Sequence, residues 1–149
     1  MDIFLDTSFI ISLLIETEKT EDVRKYFNEA SVPFVTSISV YEETFFVGIK
    51  MIAEDRLNIG SSYSLRDYIK KSGYDFADTF LNNMHEVFES IEIIHDTKDI
   101  KLIENVARTC RLMPNDAVIA ATCKFYDIKK LATYDDDFNR VDFLEIVKA

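Results

Sequence analysis

Asp6, Glu43, Asp116 and Asp135 stand where an apolar segment meets a turn or a helix. Their settings are FLDTSFII, TSISVYEETFF, PNDAVIAATC and LATYDDDF. Acids as such say little in a sequence with 27 Asp and Glu residues. Acids at the ends of buried strands say more, because an ionised carboxylate carried toward a core is costly unless something positive compensates it. Several of them converging need a cation, and hard oxygen ligands favour Mg²⁺ or Mn²⁺.

The elements that must position these acids alternate along the chain. Residues 2–5 are a short apolar run without polar alternation, the pattern of a strand buried on both faces of a parallel sheet. Helices are expected at about 8–15 and 20–29, then a break at Pro33 and a second strand in FVTS. Ser37 can cap a long helix running to about residue 55. Tyr41, Phe45, Ile49 and Ile52 form its expected apolar face, with Glu42 on the border and Glu43 farther round. Residues 58–64 read as a loop, 64–72 and 76–89 as two helices split by Gly73, and IEIIH as a third strand. Helices at about 97–111 and 115–126 follow, then strands in KKLATYD and FLEIV. Strands alternating with helices imply an α/β fold, a mostly parallel sheet of about five strands between helix layers. Ligands in such sheets bind beyond the carboxyl ends of the strands. Asp6 follows the first strand and Asp135 the fourth, so both are expected at the same edge.

The length of 149 residues suits one domain, residues 1–149. No segment reaches the ~18 apolar residues of a membrane span, and the start lacks the basic region of a secretory signal. A cytoplasmic protein is expected. Cys110 and Cys123 fall on expected helices amid apolar residues, with no partner at metal spacing, and read as buried thiols. His85 and His95 have no legible nucleophile partner and read as structural or surface residues. The net charge of −10 argues against a non-specific nucleic-acid binder. Lys70–Lys71, Arg108 with Arg111, and Lys129–Lys130 read as solvated helix ends and turns. Tyr63, Tyr68, Tyr74, Phe76 and Phe80 read as helical core, with a protein interface as the alternative.

Each acid also has a plainer use. Asp6 could cap the helix that starts near Ser8. Asp116 could merely favour the positive end of its helix, although it shares a face with Ile119, Ala120 and Cys123. The run Asp135–Asp136–Asp137 could be a solvated turn anchored by Phe138. The helix that carries Glu42 and Glu43 is apolar almost all round, so the wheel decides little between them.

Taken together, these segments resemble the PIN-domain ribonucleases, especially the VapC-type toxins of toxin–antitoxin pairs. LDTSFII resembles the family's opening strand and turn, TSISVYEET its T-S-x-x-x-x-x-E segment, NDAVIAATC its Asp-led helix, and LATYDDDF its T-x-D-x-D-F ending. The resemblance covers residues 2–10, 36–48, 114–124 and 131–147. It selects Glu43 over Glu42, makes Asp135 the fourth site acid, and gives Ser8 and Asp137 auxiliary places. It implies a PIN-like α/β/α fold, one or two Mg²⁺ or Mn²⁺ ions held by Asp6, Glu43, Asp116 and Asp135, and metal-dependent cleavage of RNA. It also implies a homodimer and a cognate antitoxin protein. No covalent enzyme intermediate is needed in such chemistry, in keeping with the missing Ser–His or Cys–His pair. Without metal, at least one of the clustered acids should have a raised pKa.

Competing readings are weaker. A phosphate-accepting receiver domain needs paired acids after the first strand and a late lysine after a strand; only Asp6 follows the first strand, and Lys129 and Lys130 precede theirs. A haloacid-dehalogenase-type phosphatase needs D-x-D where this chain has Asp6, Thr7 and Ser8. A PIN nuclease of RNA processing, or a non-catalytic acidic binding module, remains the alternative within the fold. Residues 58–95 match no family motif and are expected to face a partner or a second copy.

Overall fold

The computed structural model describes residues 1–149. The apolar run at the start of the chain becomes the central strand β1 (Ile3–Leu5), each of its residues at most 3% exposed. Around it lie β2 (Phe34–Ser37), β3 (Glu92–Ile94), β4 (Lys130–Ala132) and β5 (Glu145–Val147). All pairings are parallel and the order is β3-β2-β1-β4-β5. Ile3 pairs with Phe34 on one side and with Lys130 on the other. β1 is thus the point from which the chain winds first one way and then the other.

Seven α-helices make the crossovers: α1 (Thr7–Leu14), α2 (Thr20–Glu29), α3 (Ile38–Leu57), α4 (Ser62–Ser72), α5 (Asp78–Glu89), α6 (Ile100–Cys110) and α7 (Pro114–Phe125). Right-handed crossovers put α1 to α5 on one face of the sheet and α6 and α7 on the other. The packing agrees: α1 touches α2, α3 and α5, and α6 packs along α7. The result is the α/β/α sandwich expected from the alternation. The core joins Phe4, Leu5, Phe9 and Ile10 to Ile119, Leu131 and Phe138.

Local signals set most boundaries. Asp99 caps α6 by accepting from the Leu102 amide at 3.0 Å, so this helix begins at Ile100 rather than near 97. Asn58 ends α3 in the left-handed conformation (φ 55°), and the Ser61 hydroxyl accepts from the Ser64 amide at 3.1 Å. The connection there is shorter than the expected loop, because Ser61 starts α4 early. Gly73 closes α4 with φ +72°, where an L side chain is strained. The expected helix over 76–89 opens instead with a 3₁₀ turn, Asp75–Ala77.

The inward face of α3 differs from the expected one. Its buried residues are Val40, Thr44, Gly48, Ile49 and Ala53. Tyr41 and Phe45 turn sideways, Tyr41 edge-on to Phe88 of α5 and Phe45 edge-on to Tyr74. Gly48 is the reason. The Phe80 ring lies where a Cβ at this position would be, so the helix comes close through its small residues. A wheel that ranks residues by apolarity misses this, since glycine carries no apolar side chain. The aromatic residues of 58–95 divide likewise: Phe80 is buried and Phe76 and Tyr68 partly so, while Tyr63 and Tyr74 are exposed at 80% and 41%. The reading of all five as helical core is therefore corrected for Tyr63 and Tyr74. No helix is long and apolar enough to cross a membrane.

Candidate functional site

The crevice between the carboxyl ends of β1 and β4 is the topological switch point of the sheet, where open α/β sheets place ligands. Asp6 leaves β1 at this point and its amide donates to the Ala132 carbonyl at 3.0 Å. The residue occupies the cap position of α1, but its side chain makes no capping bond. Its carboxylate accepts instead from the Thr133 hydroxyl at 2.7 Å, with the Ser8 hydroxyl 3.5 Å from the same oxygen. Ser8 and Thr133 oxygens lie 3.2 Å apart. The Tyr134 amide donates to Ser8 and the Asp135 amide to Thr133, at 2.9 and 3.0 Å. Two hydroxyls thereby lock the turn after β1 to the turn after β4. The Tyr134 ring stacks on buried Phe9 and carries the Lys19 ammonium 3.8 Å from its centroid.

Asp6 is 4% exposed. Burial pushes its pKa up to about 7; the bonds from Thr133 and the Thr7 amide pull it back, and the charges of Glu43 and Asp116 push it further. Asp116, in the first turn of α7 behind Pro114, is raised to about 6. Burial again leads, followed by the fields of Asp135, Glu43 and Asp137, and Arg140 is the one cation opposing them. The expected rise in pKa among converging acids is present in both. Glu43 is half-buried and accepts a hydrogen bond from the Asn115 side chain, at the start of α7. Glu42 is exposed, one turn from Ile38 and Phe46 on the outer side of α3. The sheet edge therefore separates the two glutamates that the wheel left undivided.

The chain after β4 turns through a 3₁₀ helix, Asp136–Arg140. Asp135 caps it by accepting from the Asp137 amide at 2.9 Å, and Phe138 anchors it, fully buried. One oxygen each of Asp116, Asp135 and Asp137 lie within 4.8 Å of one another. Ligands of an octahedral Mg²⁺ stand roughly 3.0 Å apart when adjacent and roughly 4.2 Å when opposite, so these three could share one ion after closing on it. Their donor chemistry, carboxylate oxygen alone, fits a hard divalent cation. Asp6 and Glu43 lie outside this trio and reach it through their charge. Asp137, placed as auxiliary from sequence, lies inside it.

Three residues of the site carried no expectation. Thr133 lies within the quoted LATYDDDF segment, yet only the structure reveals its bond to Asp6. Asn115 had a signal in its place beside Asp116. Arg140 had one in its spacing, three residues past Asp137. Ser37, expected to cap α3, holds the cap position but makes no side-chain capping bond. The expectations for the thiols and imidazoles hold. Cys110 and Cys123 are buried thiols, and burial raises the pKa of both. His85 and His95 are exposed, His85 pairing with Glu89 at 2.9 Å.

A five-stranded parallel α/β/α sandwich with carboxylates gathered at its switch point defines a class of acid-site α/β proteins. The PIN domain model matches residues 3–144. The chain is 31% identical to Ribonuclease VapC6 of Methanocaldococcus jannaschii over 99% of its own length and 97% of the relative's. It is 32% identical to Ribonuclease VapC2 of the same organism, over 98% and 93%. Among solved structures it resembles a toxin-antitoxin complex from Klebsiella pneumoniae, with TM-score 0.62, 15% identity and coverage of 97% and 95%. The chain belongs to the PIN-domain family.

Proposed function

We propose that this protein is a divalent-metal-dependent endoribonuclease and the toxin of a toxin–antitoxin pair. The observation that carries the reading is the trio of carboxylate oxygens from Asp116, Asp135 and Asp137, within 4.8 Å of one another beside buried Asp6, in a PIN-domain chain whose relatives are named ribonucleases. Asp116, Asp135 and Asp137, with Asp6 and Glu43 behind them, would hold Mg²⁺ or Mn²⁺. A bound ion supplies the positive field that an acidic pocket lacks, activates water and stabilises charge on the leaving oxygen.

The chain's own residues prepare that site. Thr133 and Ser8 fix the Asp6 carboxylate against rotation. Asn115 fixes Glu43, and Asp135 orders the turn that presents Asp137. Asp6 is the deepest of these acids, and burial raises its pKa to about 7. We propose that the RNA strand lies across this edge.

The toxin reading is favoured over an RNA-processing nuclease by the outer side of α3. Ile38 and Phe46 are 52% and 46% exposed there. With Tyr41, Phe45, Ile49 and Tyr74 they line an apolar groove of about 500 Å³. The groove meets a second one at Glu42 and Phe46, which runs to Glu43 and Asn115. An exposed apolar groove of this kind suits a protein partner, here a cognate antitoxin. A homodimer, cytoplasmic location and a single domain over residues 1–149 belong to the same proposal.

The test is RNA cleavage by purified protein in Mg²⁺, in Mn²⁺ and in EDTA. Cleavage is expected with either metal alone and is expected to stop in EDTA. Full activity in EDTA would defeat the reading. Tight co-purification with the product of an adjacent small reading frame is expected for the toxin; its lack would favour the processing nuclease.

A further inference from the structure

We propose that Arg140 is a positioning residue for the carboxylate trio, acting through Asp137. This rests on the metal-site reading above. Arg140 lies three residues after Asp137 in one 3₁₀ turn, a spacing that stacks the two side chains. Its Nη1 donates to Asp137 Oδ1 at 3.2 Å. Its Nε donates to the Cys110 carbonyl at 3.0 Å and its Nη2 to the Arg111 carbonyl at 2.8 Å. Those carbonyls belong to the end of α6, where helical acceptors are left without amide partners. Arg111 itself is left-handed there, φ 56°.

The guanidinium is thus held at three points, and each has a consequence for the trio. The two carbonyl bonds fasten the 3₁₀ turn to the α6 terminus. From that terminus the chain runs through Leu112 and Met113 into Pro114 and Asp116. One side chain therefore sets the carrier of Asp116 against the carrier of Asp135 and Asp137. The third bond occupies one Asp137 oxygen and leaves the other free for an ion. Both partners of this pair are about half exposed, and such pairs add little to stability. Its effect is orientation of an acid that would otherwise rotate in water. Only a planar fork can make all three bonds at once, so lysine is not an equivalent.

The readout is Mn²⁺ affinity, measured by calorimetry on the full chain without RNA. Positioning and plain electrostatics predict opposite signs. If Arg140 acted only as a positive charge near the ion, Arg140→Gln would tighten Mn²⁺ binding. As a positioning residue, its loss weakens Mn²⁺ binding by about 10-fold, the lower end of the range for outer groups around a metal. Arg140→Lys keeps the charge and is expected to remain as weak. In an Asp137→Asn background, Arg140→Gln is expected to weaken binding less than it does in the wild type, since only the two carbonyl bonds are then left to lose. Tighter binding in Arg140→Gln overturns the proposal, and so does an equal loss with and without Asp137. Thermal melting of the same variants separates damage to the fold: a loss of Mn²⁺ affinity that follows Tm alone, unaffected by the Asp137 background, also overturns it. Wild-type protein that binds no Mn²⁺ removes the metal reading and this proposal together, whereas wild-type binding untouched by Arg140→Gln removes this proposal alone.

Discussion

At the β1 end of the acidic edge, Asp6 is 4% exposed and the side chains hydrogen-bonded to it are the hydroxyls of Thr133 and Ser8. At the other end, the Asp137 side chain is 52% exposed and is held by a guanidinium. The first acid is fixed, dry and reluctant to ionise. The second is wet, and its mobility is limited by one neighbour. A site that must take up a hard cation has use for both. Buried Asp6 is the acid whose surroundings most oppose ionisation, chiefly through burial. The exposed acids supply oxygens that can close on an ion at little cost in desolvation.

Asp6→Asn should break this contrast most strongly. It keeps the shape and hydrogen-bonding capacity of the dry end while removing its charge. RNA cleavage is expected to fall by about 100-fold or more, at or beyond the upper end of the range for groups around a metal. Asp136→Asn, in the same acidic run but pointing to Lys148, is expected to leave the rate within about twofold. Equal losses in the two variants, read in single-turnover assays, would mean that overall negative charge and not position matters.

The pair of glutamates sharpens the comparison at the third side of the crevice. Glu43→Gln is expected to weaken Mn²⁺ binding about 10-fold, and Glu42→Gln to leave it unchanged. Calorimetry on both variants decides, and the reverse ranking would move the site to the outer side of α3.

The raised pKa values give a pH test with a definite sign. Asp6 titrates near 7 and Asp116 near 6 in the fold, both from 3.8. Between those values the folded state holds more protons than the unfolded one, so stability falls as pH rises from about 4 to about 7. Above that window these two groups add no further slope. The metal-free protein should therefore melt at higher temperature at pH 5 than at pH 7.5, and Asp6→Asn should lessen the difference. Saturating Mn²⁺ should reduce or reverse it, because binding displaces the protons. An unchanged slope in Asp6→Asn would show that Asp6 is not the buried titrating group.

The smallest expected effect concerns the lock between the two turns. Thr133→Val removes the hydrogen bond to the Asp6 carboxylate, together with the hydroxyl's bonds to the Asp135 amide and Ser8, at nearly constant volume. A loss of about 1–3 kcal/mol in unfolding free energy is expected. Denaturant titration at pH 7 measures it, and a neutral result would mean that water takes the place of the hydroxyl.

Much of this arrangement is legible in the sequence, for identifiable reasons. Strands such as Ile3–Leu5, buried on both faces, announce themselves as unbroken apolar runs. The acids after them then fall at one edge by topology alone. What resisted reading has no local pattern. The inward face of α3 depends on Gly48 receiving the ring of Phe80 from another helix. The T-S-x-x-x-x-x-E spacing picks Glu43 over Glu42, but the contact that sets Glu43 apart is with Asn115, 72 positions away. Arg140 reads as one more surface cation until the α6 carbonyls appear around it. Short-range periodicity encodes which elements exist, while contacts between distant segments select which residues of each element meet.

The bond between Thr133 and Asp6 spans 127 positions of the chain, and β1 has no β4 neighbour until the same late segment has been made. During synthesis the opening strand can pair with β2 early, but its acid waits without its hydroxyl partner while the rest of the polypeptide emerges. A product of translation that stops short of Thr133 lacks the hydroxyl that binds Asp6 and the turn that carries Asp135 and Asp137. Under the proposed function, incomplete copies of this toxin would be harmless to the cell that makes them.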